Sequence, residues 1–288
     1  MSDNTPWFEG IKFPMVHFSP EILREVRDKF VVKDEDTITV TYPKSGTNWL
    51  IEIVSLILSK GDPKWVQSVP NWDRSPWIES TGGYELVKGQ KDPRVYTSHL
   101  PLHLFPKSFF SSKAKVMIYC IRNPRDALVS GYFFLSKINV TEKPETLQQY
   151  MEWFLQGNVI YGSWFEHVRG WLSMRDMENV LVLSYEDLIK DTRSTVEKIC
   201  QFLGKKLKPE ETDLVLKYSS FQFMKENEMS NFTLLPHAYT TEGFTLLRKG
   251  TVGDWKNHFT VAQAEAFDKI YQEKMAGYPP KLFPWEEC

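Results

Sequence analysis

The sequence predicts an α/β fold, a single domain with a central, mostly parallel sheet flanked by helices. Three observations predict it. Short β-branched or apolar runs alternate with longer helical patterns along the 288 residues. No Gly/Ser-rich or Pro-rich linker and no internal repeat divides the chain, so one domain over 1–288 is expected. The stretch Tyr42-Pro43-Lys44-Ser45-Gly46-Thr47-Asn48-Trp49 joins a strand to a helix through a P-loop-like, phosphate-gripping loop.

The first strand is Thr37-Ile38-Thr39-Val40-Thr41-Tyr42, a β-branched and aromatic run ending at Tyr42. The apolar, breaker-free stretch from Trp49 to Leu58 then predicts a helix over 47–60. Further strands are expected at 94–98, 115–121 and 180–184, and further helices at 126–136, 145–172, 191–203, 209–216 and 260–275. Between Phe221 and Gly253 few clear elements are legible, which suits a functional loop or lid. The tail after Met275 carries Pro279, Pro280 and Pro284 and is expected to be irregular. Each strand ends in chemically loaded residues: the Lys44 loop, His99, the Arg122-Asn123-Pro124-Arg125-Asp126 turn, and Tyr185-Glu186-Asp187. Ligands of open α/β sheets bind beyond the carboxyl ends of the strands, so four such ends predict one shared site.

Composition excludes several function classes. With 42% hydrophobic and 25% charged residues the chain can bury a large core. A formal charge of -2 gives no general attraction to nucleic acid or an anionic membrane, so an anion site must be local. Cys120, Cys200 and Cys288 have neither disulfide-framework nor zinc spacing, and no carboxylate or His/Cys cluster suggests a metal. The polar N-terminus lacks a signal-peptide core and no apolar run is of membrane length, which together with the cysteine usage predicts a cytoplasmic protein.

Lys44-Ser45-Gly46-Thr47 lacks the Gly-x-x-x-x-Gly-Lys spacing of a Walker A loop, yet its physics is similar. A helix start, a flexible glycine, a cation and two hydroxyls aim donors at one place. The plain alternative, a turn with a solvated lysine, is outweighed by the strand before it and the helix after it. Arg122 with Ser130 suits a second phosphate through charge-assisted hydrogen bonds, whereas Arg125 reads as structural. Arg248-Lys249-Gly250 puts two cations before a turn; alone it would be a solvated pair, but beside the other two anion motifs it becomes a third arm. His99, held extended before Leu100-Pro101, suits a general base for a hydroxyl, while His103, His167, His237 and His258 read as ordinary histidines. Phe18, Trp72, Trp77, Phe134, Phe232 and Tyr239 would line an apolar pocket if they gather around His99.

Together these motifs, with Ser98-His99-Leu100-Pro101 between them, closely resemble the cytosolic sulfotransferases over nearly the whole chain. Trp7-Phe8-Glu9-Gly10, the run from Phe105 to Phe110, and Asp254-Trp255-Lys256-Asn257-His258-Phe259 look most like the hydroxysteroid (alcohol) branch. The resemblance implies the donor 3'-phosphoadenylyl sulfate (PAPS). Its 5'-phosphosulfate would meet Lys44 to Thr47, and its 3'-phosphate Arg122, Ser130, Arg248, Lys249 and Gly250. Its adenine would meet Trp49, Tyr185, Ser219, Ser220, Phe221, Gln222, Phe223 and Met224. Asn48 would orient donor or acceptor, His99 would take the acceptor proton, and Lys44 would neutralise the leaving oxygen. Lys256, Thr260, Val261 and Glu265 match the family's dimerisation segment and imply a homodimer. The acceptor pocket, including His17 and Ile138, differs from the branch's usual pattern at these two positions and at Leu135, Val140 and 235–238. A hydroxysteroid or bile-acid alcohol is the expected acceptor; phenols and smaller alcohols remain open. A P-loop nucleotide kinase is the rival enzyme, lacking its Walker A spacing here, and a binding module without turnover the rival non-enzyme.

Overall fold

The computed structural model describes residues 6–112, 116–139, 141–279 and 282–287. Lys115, Val140, Pro280 and Cys288 lie outside the described residues. A small antiparallel hairpin, β1 (Trp7–Phe8) with β2 (Ile11–Lys12), precedes the main sheet. That sheet contains β3 (Thr37–Thr41), β4 (Val95–Ser98), β5 (Val116–Ile121) and β6 (Val180–Ser184) in the order β4-β3-β5-β6, all parallel. The four expected strands are these four. Alternation along β5 divides the core: Tyr119 and Ile121 join Val40 and Trp171 on one face, Ile118 and Cys120 join Leu183 and the Thr47–Leu58 helix on the other. The chain runs from β3 to β4 on one side and returns to β5 on the other. The crevice at this switch point lies between the ends of β3 and β5, where the Lys44 loop and Arg122 emerge.

Most of the expected helices are found, as Thr47–Leu58, Pro124–Leu135, Thr192–Phe202, Pro209–Tyr218 and Val261–Lys274. The single helix expected over 145–172 is instead two, Leu147–Gln156 and Trp164–Leu172. Gly157 ends the first in a left-handed C-cap at φ 78°, and Ser163 starts the second by accepting the Glu166 amide. Short helices such as Thr81–Gly89 and Asn71–Arg74 escaped the periodicity argument. The 221–253 stretch holds the helices Phe221–Glu226 and Glu228–Asn231 and a turn at His237–Tyr239 before it loses regular structure. The tail is less irregular than its prolines suggest: Phe283 and Trp285 are buried, their rings stacked at 4.7 Å, beside a turn at Pro284–Glu287. Among the described residues no helix is long and apolar enough to cross a membrane.

A buried ion pair fastens the 221–253 segment to the sheet-covering helix. Arg74 Nη2 lies 2.7 Å from Glu52 Oε2, with neither side chain exposed, and Ser230 donates to the same oxygen at 2.9 Å. Arg74 also donates to the Val69 carbonyl at 3.0 Å. Burial raises the Glu52 carboxyl and Arg74 opposes that rise. Removing one partner strands a charge in a dry site. Arg74→Met is therefore expected to cost about 3–5 kcal/mol in urea unfolding, with the Glu52→Gln/Arg74→Met double variant recovering much of it. A single-variant loss below about 1 kcal/mol, the size of an exposed pair, would contradict this.

Candidate active site

Thr41 ends β3 and organises the loop beyond it. Its hydroxyl shares a hydrogen bond with that of Thr47 across the loop at 2.6 Å. Between them Lys44 and Gly46 turn the chain at φ 68° and 94°. Gly46 is required twice over: a Cβ there would lie 2.8 Å from the Tyr185 ring in a conformation that side chains disfavour. The Ser45 amide turns back to the Tyr42 carbonyl at 3.2 Å. No side chain caps the helix that begins at Thr47, so its first-turn N–H groups are left for an anion.

Arg122 braces this loop from the end of β5. It donates to the Lys44 carbonyl at 2.8 Å and the Thr251 carbonyl at 3.2 Å, and its guanidinium lies over the Tyr185 ring at 4.2 Å. Arg122 Nε, Ser45 Oγ and Trp49 Nε1 are buried without hydrogen-bond partners, three polar atoms on the residues that form and brace the loop. Arg248 and Lys249 each reach Asp254 at 2.6 Å, and its carboxyl is held well below the usual range: hydrogen bonds from Lys249, Asn257 and Arg248 overcome its burial. Gly250 sits so close to Phe221 that a Cβ would meet the ring at 2.3 Å. Arg125 is structural, paired with Asp268 and surrounded by Trp255, Phe267 and Tyr271.

Lys44 places its ammonium 4.0 Å from the centre of the Phe134 ring. Burial, with Arg122 and Arg248 nearby, lowers its pKa to about 7. The positive charge of Lys44 is thus disfavoured in the free site, and a bound anion would favour it.

His99 follows β4, whose parallel pairing with β3 sets it beside Thr41. Its Nδ1 lies 2.8 Å from the Thr41 carbonyl and 3.2 Å from the Thr41 hydroxyl. A carbonyl only accepts, so Nδ1 carries the proton and Nε2 keeps its lone pair. Burial lowers the His99 pKa to about 4, partly offset by the Thr41 bond and reinforced by Lys44. His167 donates from Nε2 to the His99 carbonyl at 3.1 Å and meets the Tyr119 hydroxyl at 3.0 Å, which satisfies it as a core histidine.

One cavity of about 740 Å³ contains both the loop and the His99 imidazole. Lys44, Gly46, Thr47, Asn48, Trp49, Arg122, Ser130, Tyr185, Phe221, Met224, Arg248, Lys249 and Gly250 line it with His99. The aromatic residues do gather: Phe18, Trp72, Trp77, Phe134, Phe232 and Tyr239 share its wall with His17 and Ile138. Ser45, Ser219, Ser220, Gln222 and Phe223 do not line it. Ser219 spends its hydroxyl on the Val215 carbonyl at 2.7 Å, Ser220 caps the Phe221–Glu226 helix, Gln222 bonds Glu226, and Phe223 packs on Tyr218. The sequence did not single out Thr41, Tyr161 or Asp254. The first could have been suspected from its place at the strand end before the loop; the other two carry no local signal. Among the described residues no group of His, Cys, Asp and Glu could hold a metal ion.

The geometry predicts that nitrogen-15 spectra show His99 as the neutral Nδ1–H tautomer through neutral pH, protonating only near pH 4. An imidazolium at pH 6, or the Nε2–H tautomer, would contradict this geometry.

Residues 34–279 match the sulfotransferase domain family. The chain is 96% identical over 288 residues to the 3-alpha-hydroxysteroid sulfotransferase of Cavia porcellus and 86% identical to the 3-beta-hydroxysteroid sulfotransferase of the same species, both chains being covered completely. Mouse sulfotransferase SULT7A1, solved in complex with PAP, superposes with a TM-score of 0.78 at 31% identity over 93% of each chain. This protein belongs to the sulfotransferase family.

Proposed function

We propose that the protein transfers a sulfuryl group from PAPS to the hydroxyl of a hydroxysteroid or bile-acid alcohol, with 3α-hydroxysteroids as the favoured acceptors. The observation that carries this reading is the meeting of an uncapped anion loop and a neutral imidazole in one largely apolar cavity. The higher identity to the 3-alpha than to the 3-beta relative favours the 3α-hydroxyl.

Lys44, Gly46 and Thr47, with Asn48, would grip the 5'-phosphosulfate, and Ser45 would shape the turn from beneath. Arg122, Ser130, Arg248, Lys249 and Gly250 would take the 3'-phosphate, Asp254 yielding part of its hold on the two cations. Trp49, Tyr185, Phe221 and Met224 would enclose the adenine, and His17, Phe18, Trp72, Trp77, Phe134, Ile138, Phe232 and Tyr239 the acceptor. His99 Nε2 accepts the proton of the acceptor hydroxyl as that oxygen bonds to sulfur. The bond from sulfur to the bridging phosphate oxygen breaks in line, and Lys44 neutralises the charge left on that oxygen. The product nucleotide, adenosine 3',5'-bisphosphate, departs with the electron pair.

The described residues act as one domain, a reading supported by both core clusters being built on the same sheet. Lys256, Thr260, Val261 and Glu265 form the contact of a homodimer. Val261 supports this by leaving 76% of its surface exposed at the start of a helix capped by Thr260.

Incubation with PAPS and a panel of 3α- and 3β-hydroxysteroids, bile acids, phenols and aliphatic alcohols should yield sulfated hydroxysteroids, identified by mass. His99→Ala should lose about 10²–10⁴-fold in turnover while retaining affinity for the product nucleotide; near-normal turnover would overturn the base assignment. Light scattering at micromolar concentration should give twice the 33.7 kDa chain mass, and Val261→Glu should restore the monomer. A wild-type monomer would end the dimer reading.

A further inference from the structure

Glu79 is fully buried, and the proposed transfer step does not use it. The chain before it runs beside β4 as a further short pairing: Thr97 donates to the Pro76 carbonyl at 2.9 Å, and Ile78 donates to the Thr97 carbonyl at 3.0 Å. Glu79 therefore stands just beyond this added edge, as His99 stands just beyond β4. Its Oε1 accepts the His99 backbone N–H at 2.7 Å, taking the donor left over where the strand pairing stops. Its Oε2 is buried with no hydrogen-bond partner. Burial pushes the carboxyl up to about 7, against the His99 amide, its own amide and the Ser98 and Tyr161 hydroxyls, all of which favour the anion. Two residues earlier, the Trp77 ring stands 5.8 Å from the His99 ring in the cavity wall, and Tyr161 meets His99 edge-on at 5.1 Å.

His99 is thus held at three points from three directions. Thr41 holds the ring at Nδ1, His167 holds the carbonyl, and Glu79 holds the amide. Of the three, only Glu79 is continuous with the acceptor wall through Trp77. A buried carboxyl is a costly anchor for this backbone, since burial disfavours its charge even with the donors around it.

We propose that Glu79 is a positioning residue for sulfuryl transfer, its carboxyl fixing the His99 backbone and keeping the imidazole in register with the Trp77 wall against which the acceptor lies. The proposal rests on the reading of His99 as the base. Glutamine preserves the accepting oxygen, and leucine preserves the volume without it.

Glu79→Leu should lose about 10–100-fold in kcat, the scale of a misplaced reacting group, with affinity for the product nucleotide unchanged. Glu79→Gln should stay within a few-fold of wild type. In a His99→Ala background Glu79→Leu should cause no further loss, because its target is gone. Wild-type kcat in Glu79→Leu, or an equal loss on top of His99→Ala, overturns the Glu79 proposal while leaving the base assignment standing. Normal turnover in His99→Ala alone instead removes the base reading. Should Glu79→Leu fail to fold, Glu79→Met decides by the same readouts: a kcat loss of about 10–100-fold with unchanged nucleotide affinity supports the proposal, and wild-type kcat overturns it.

Discussion

The hydrogen bond from His99 Nδ1 to the Thr41 carbonyl is the constraint on which the site depends. It joins the last residue of β3 to the residue after β4, so the parallel register of two strands becomes the spacing between the Lys44 loop and the His99 imidazole. The Thr41 hydroxyl meanwhile ties the far side of the loop through Thr47. One residue thereby fixes the tautomer of the imidazole and the closure of the turn. The first is set by a backbone carbonyl and the second by a buried hydroxyl pair, so both are in place before a ligand arrives.

Electrostatics give the cavity its direction. Burial, reinforced by Arg122 and Arg248, raises the cost of charge on Lys44 and lowers its pKa to about 7. Arg248 and Lys249 are quieted by Asp254. A bound nucleotide with two anionic groups would relieve the first strain and compete for the second pairing. Burial and the charge of Lys44 keep His99 neutral, which is the form a base must have. Apolar side chains form much of the wall around these groups, which strengthens the charge interactions within it.

Much of this was legible in the sequence because it is local. A β-branched strand, a glycine turn and an uncapped apolar helix are contiguous from Thr37 to Leu58, and three other strands each end in a charged or titratable residue. The illegible part is tertiary. Gly157 breaks a helix whose apolar periodicity continues on either side of it. Glu79 reaches His99 across 20 residues of chain, and Asp254 looks in the sequence like one more surface acid. Ser219, Ser220, Gln222 and Phe223 do not reach the cavity: Ser219 and Phe223 are taken by the preceding helix, through Val215 and Tyr218, while Ser220 caps the next helix and Gln222 bonds Glu226 within it. Their one-dimensional neighbourhood with Phe221 and Met224 did not reveal that.

Loop and base form one frame, and the central claim is that the loop's lysine therefore acts on the transfer step and not only in docking. The direct test is the single-turnover rate of Lys44→Met with PAPS saturating, alongside its affinity for the product nucleotide. A modest loss of affinity and a fall of about two or more orders of magnitude in the transfer rate are predicted. A transfer rate equal to that of the wild type, with only affinity reduced, would contradict the claim.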